Sequence, residues 1–112
     1  MSKLTTHVLD TALGKPAEGV TIVLEGLKSS GFKEIGRGVT NADGRVKEIM
    51  GDTNLSAGTY KMTFHTKDYM TATNRAGFYP YVEVVFEVTK PDEHHHIPLL
   101  LSPFGYSTYR GS

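Results

Sequence analysis

Three histidines stand in a row within the stretch DEHHHIPLLLSP, which runs from Asp92 to Pro103. A neutral imidazole can take a proton near pH 7, and imidazole is also the commonest ligand of transition metals. Which chemistry applies depends on where the rings point. In a strand, successive side chains point to opposite faces. Ile97, Leu99 and Leu101 then share a face of ordinary core type, and His95 lies on their side. His96, Pro98 and Leu100 share the other face. Consecutive histidines therefore point apart and cannot easily share one tetrahedral ion, and no cysteine or convincing carboxylate completes a set. His94 reads as a solvated turn residue, and His65, alternating with Lys61 and Thr63, as a surface residue. The amino-terminal segment repeats the mixed pattern, with His7 and Leu9 opposite Thr6 and Val8. In the last segment Ser107, Tyr109 and Gly111 share a face. Three strands thus each offer a partly apolar outer face, and self-association is the economical expectation.

The elements that must position these residues are mostly strands, because alternation of period two dominates. Strands are predicted over 5–11, 20–27, 32–39, 45–49, 58–66, 81–89, 95–101 and 104–110. The third is weakened by Gly36 and Gly38. ALGKPAEG (12–19) reads as a turn cluster and TNADG (40–44) as a tight turn with Gly44 at positive φ. A short helix is predicted over 67–74, with Thr66 as its cap. The sum is an antiparallel β-sandwich of about eight strands in one domain spanning 1–112. Tyr106 is read as a core ring. Taken alone, Arg45 after the ADG turn reads as an ordinary surface charge, and Tyr109 could equally be a core aromatic.

The 112 residues suffice for one core. Twelve basic residues balance twelve acidic ones, and 38% of the chain is hydrophobic. No basic block points to nucleic acid. No cysteine is present, which excludes disulfides and thiol catalysis. The first residues lack a basic-then-apolar leader, Ser-Lys-Leu is not carboxy-terminal, and no run is long enough to span a membrane. A cytoplasmic protein is therefore expected.

LTTHVLDTALGKPAEGV, TNADGRV and HHIPLLLSPFGYSTYRGS together resemble the 5-hydroxyisourate hydrolases of the transthyretin-like family, and the similarity runs the whole length. The terminal YRGS is the most specific of these motifs. The resemblance implies a transthyretin-like, two-sheet, eight-stranded all-β sandwich with one short helix. It also implies a homotetramer, a dimer of dimers, with active sites in a central channel at the dimer–dimer interface. It carries functional roles to His7, Arg45, His96 and the tail Tyr109–Ser112. Catalysis falls to His7, Arg45 and His96, and substrate binding to His7, Arg45, Tyr109 and Ser112. The implied reaction hydrolyses a cyclic amide of 5-hydroxyisourate, in purine catabolism, without metal or organic cofactor. Within that picture a histidine activates water, His7 being preferred, and Arg45 offers a planar fork to carbonyl oxygens that gain charge. Arg110 is expected to hold the tail by an ion pair. Two other functions compete: a carrier of a small aromatic ligand in the same channel, and a metal-binding or chaperone-like domain using the histidine cluster.

Overall fold

A computed structural model describes residues 4–46, 48–50 and 55–111. Eight strands and one helix follow in chain order: β1 (Leu4–Asp10), β2 (Lys15–Pro16), β3 (Thr21–Lys28), β4 (Gly31–Val39), β5 (Gly58–Phe64), α1 (Thr66–Ala72), β6 (Val82–Val88), β7 (His95–Ser102) and β8 (Gly105–Thr108). One sheet has the order β2-β1-β7-β8 and the other β4-β3-β5-β6. Alternating apolar residues from both sheets meet between them: Val8, Leu99 and Leu101 from the first, Ile22, Leu24, Met62 and Phe64 from the second. Thus the expected two-sheet sandwich is observed. Among the described residues no helix is long and apolar enough to cross a membrane.

Four details depart from expectation. First, the sandwich is not wholly antiparallel, because β1 and β7 pair in parallel. Such a pair needs a long crossover. Here the chain builds the entire second sheet between its two members. Second, the described residues of 45–49 do not form a strand. Arg45 makes a single bridge to His7, and Val46, Ile49 and Met50 fold inward instead. Gly36 and Gly38 explain this packing: a Cβ on Gly36 would stand 1.9 Å from the Ile49 carbonyl oxygen, and one on Gly38 2.4 Å from Val46 Cγ1. The eighth strand comes instead from Lys15–Pro16, inside the expected turn cluster, where it pairs with Leu9 and Asp10. Third, the helix starts at Thr66 and not after it. His65 occupies the cap position without a side-chain cap bond, and the Thr66 hydroxyl donates to the Tyr79 carbonyl at 3.2 Å. Fourth, Tyr106, read as core, is 42% exposed at the sheet edge, with its ring edge-on to Tyr79.

Candidate active site

β1 and β7 lie side by side, and their parallel register sets Thr5 opposite His96 and His7 opposite Pro98. Residues of odd number in β1 and even number in β7 therefore share the outer face of the first sheet. Thr5, His7, Leu9, His96 and Leu100 are all half-buried there, while their neighbours on the inner side are buried. His95 belongs to that inner side: it is 6% exposed, and its Nδ1 lies 2.9 Å from the Glu93 carbonyl oxygen. The face assignments of His7, His95 and His96 made from alternation agree with this geometry.

Arg45 reaches the same face through the 40–44 turn. The Asn41 carboxamide oxygen accepts from the backbone N–H of Asp43 and of Arg45, at 2.9 and 3.2 Å. Gly44 takes φ +75°, and its carbonyl accepts from Val8 N–H at 2.8 Å. A side chain at 44 would strike the Val8 carbonyl, with its Cβ only 2.4 Å from that oxygen. Only glycine lets the turn sit this close to β1. The turn in this way sets Arg45 directly across from His7 as an isolated bridge.

The tail closes the other side. β8 ends at Thr108, and the chain then runs on until Gly111 bridges to His96, its N–H donating to the His96 carbonyl at 2.8 Å. Tyr109, at the parity of the outer face, is 58% exposed. Arg110 forms the expected ion pair, 3.1 Å from Glu93. Ser112, assigned to substrate binding, lies outside the described residues.

His94 lies where it was expected, exposed ahead of β7, but it has contacts that the sequence did not show. Its Nε2 lies 2.9 Å from the Thr5 hydroxyl, and that same hydroxyl lies 2.8 Å from His96 Nδ1. The His94 and His96 rings stack at 6.3 Å with 13° between their planes. Thr5 was not singled out from the sequence. Its parity with His7 was a signal, but nothing in the order of residues shows that it meets His96. His65 stands apart, half-buried at the start of α1.

Electrostatics favour neutral imidazoles. Burial, followed by the positive Arg45, pushes His7 below its ordinary value, against an opposing pull from Asp43. Burial pushes His96 down as well, helped by Arg45, His94 and His7, in that order, and opposed by a backbone bond at Thr5. Both rings are thus held as proton acceptors at pH 7, since like charges nearby disfavour the cationic form. Among the described residues no group of three or more histidines and carboxylates is placed to hold a metal.

A cavity of about 140 Å³ opens beside this cluster, lined by Val84, Phe86, Ile97, His96 and Tyr109 among others. It reaches His96 but neither His7 nor Arg45. The histidine–arginine cluster, by contrast, lies on an open face of the first sheet.

Comparison with known proteins shows the family and the fold. The sequence model described as the HIUase/Transthyretin family matches residues 4–111. The mouse protein named 5-hydroxyisourate hydrolase is 47% identical over 113 residues, covering 99% of this chain and 96% of that one. A solved structure of Klebsiella pneumoniae 5-hydroxyisourate hydrolase superposes with a TM-score of 0.85 at 36% identity, covering 97% of this chain and 98% of that one. Sea bream transthyretin in complex with thyroxine superposes at 0.90 with 33% identity, covering 97% and 94%. By sequence over nearly its whole length and by fold, the chain belongs to the HIUase/Transthyretin family.

Proposed function

We propose that this protein is a 5-hydroxyisourate hydrolase whose site is the outer face formed by His7, Arg45 and His96. The observation that carries this reading is the bridge that sets Arg45 across from His7, with both His7 and His96 near enough for its charge to push them toward the neutral form. A neutral imidazole takes a proton from water as the water oxygen attacks the cyclic amide carbonyl. The carbonyl oxygen gains negative charge, which Arg45 stabilises through its planar set of donors. Collapse breaks the carbon–nitrogen bond, and the departing nitrogen takes up a proton. The product is 2-oxo-4-hydroxy-4-carboxy-5-ureidoimidazoline. Tyr109, exposed beside His96, packs against the substrate ring and donates a hydrogen bond to it, and Ser112 completes the wall. A homotetramer assembled as a dimer of dimers brings these faces together and removes water from the sites. The exposed Tyr109 and the half-buried Leu9 and Leu100 on that face support such an assembly.

The similarity to a transthyretin bound to thyroxine supports a second reading, a carrier of an aromatic ligand. The face argues against it, because it carries a guanidinium and imidazoles where a carrier would favour an apolar slot. Freshly generated 5-hydroxyisourate separates the two. Its decay should accelerate with the wild-type protein and fall by about 10² for His7→Ala and His96→Ala, the scale of a lost general acid or base. Arg45→Lys should also be strongly impaired although charge is kept. A wild-type protein without effect on the decay would refute the hydrolase reading.

A further inference from the structure

The Thr5 hydroxyl stands between two imidazoles, 2.8 Å from His96 Nδ1 and 2.9 Å from His94 Nε2. It has a single hydrogen, so it must donate to one ring and accept from the other when both bonds are made. The chain of bonds therefore has two directions. In one, His96 carries its proton on Nε2. In the other, His96 Nδ1–H donates to Thr5, Thr5 donates to His94 Nε2, and His96 Nε2 keeps a free lone pair. The surroundings of the His96 ring leave one edge open. Nδ1 is held by Thr5, and Gly111 covers Cδ2 so closely that a Cβ there would lie 2.5 Å away. Nε2 has no hydrogen-bond partner among the described residues.

We propose that Thr5 is a positioning residue that locks His96 with Nε2 unprotonated and links it to His94 as a proton relay, resting on the hydrolase reading above for the reaction it serves. When water attacks, its proton bonds to His96 Nε2 while its oxygen bonds to the carbonyl carbon. The Nδ1 proton passes to Thr5, and the Thr5 hydroxyl proton passes to His94 Nε2. Positive charge thereby leaves half-buried His96, which faces Arg45 and His7, for exposed His94, where water solvates it. When the carbon–nitrogen bond breaks, the Nε2 proton goes to the departing nitrogen, and the reverse shift through Thr5 restores His96. The base in this scheme is His96, not His7.

Two readouts test it. The ring ¹⁵N shifts of His96 in the wild-type protein at neutral pH report the tautomer without any substrate. Protonated Nδ1 with bare Nε2 is expected, and a proton on Nε2 overturns the proposal whether or not the protein is a hydrolase. In turnover, Thr5→Val should lower kcat about tenfold or more with KM within about twofold, a part of the 10²–10⁴ of acid–base catalysis. Thr5→Ser should recover most of the loss. Adding His94→Ala to Thr5→Val should cost little more, because the relay is already broken. An unchanged kcat in Thr5→Val, failure of serine to rescue, or full additivity with His94→Ala would each overturn it.

Discussion

Removing the buried carboxylate of Asp10 should loosen the helix from the first sheet. Asp10 is fully buried at the end of β1, and one face of its carboxylate takes the Tyr69 hydroxyl at 2.7 Å. Arg75, just beyond α1, donates to both of its oxygens, and Leu13 N–H donates to Oδ1 at 3.1 Å. Burial works against the charge, but the bonds from Arg75, Tyr69 and Leu13 outweigh it and hold the carboxyl below its ordinary value. Burial and the adjacent Asp10 charge correspondingly push the Tyr69 hydroxyl up to about 12. Asp10→Asn removes the charge and leaves Arg75, whose side chain is 19% exposed, facing an amide. Breaking a fully buried pair costs roughly 3–5 kcal/mol, and the residual hydration of Arg75 reduces this to about 2–4 kcal/mol. At about 4 °C per kcal/mol for a chain of this size, the midpoint should fall by roughly 8–16 °C. Tyr69→Phe removes one bond to a charged group and should cost about 1.5–3 kcal/mol. The sign with pH follows from the lowered native value. The stabilisation is fully present above the unfolded pKa of about 3.9 and is lost as pH falls through the lower native one. Thermal melts of wild type and Asp10→Asn, at fixed protein concentration between pH 7 and pH 2, should therefore converge toward the acid end. A gap of equal size at both ends, or none at pH 7, would refute the reasoning.

Gly44→Ala should cost about 1–3 kcal/mol from the left-handed backbone alone, and it should shift Arg45 enough to lower kcat/KM by at least about tenfold, given the penalty for ångström-scale misplacement; melts and steady-state rates check both. His95→Ala should lower stability by about 1–3 kcal/mol through loss of its buried bond and packing, with turnover little changed in the same assays. Activity should decline on the acid side with a midpoint below the ordinary histidine value of about 6.5, because His7 and His96 are both pushed down; a midpoint above it in a kcat/KM–pH profile would contradict the electrostatics.

How much of this could be read from the residues depends on the distance over which each feature is encoded. β6 and β7 were legible because branched and aromatic residues recur every second position, and the same alternation put His7 and His96 on the outer face. The helix end was partly legible; Asn74, at φ 58°, terminates it in the left-handed conformation that asparagine tolerates. Lys15–Pro16 was hidden because two residues inside a turn cluster carry no period. The 45–49 segment was misread because its buried residues pack against Gly36 and Gly38, a contact between elements that leaves no local pattern. The parallel pairing of β1 with β7 is likewise set by tertiary structure, and with it the meeting of Thr5, His94 and His96. Asp10 was available in principle: it continues the buried parity of Leu4, Thr6 and Val8. A carboxylate on that parity signals a partner, although nothing local says that the partners are Tyr69 and Arg75.

The assembly proposed on the outer face of the first sheet is one hydrolytic site made by His7, Arg45 and His96. It is tested most directly by generating 5-hydroxyisourate in situ with urate oxidase and following its decay spectroscopically. The rate with wild-type protein should be compared with those of His7→Ala, His96→Ala and Arg45→Lys, each checked for intact assembly. Decay should be rapid with wild type and slower by about 10² in each histidine variant, with Arg45→Lys strongly impaired. Wild-type rates in both His7→Ala and Arg45→Lys would place the site elsewhere.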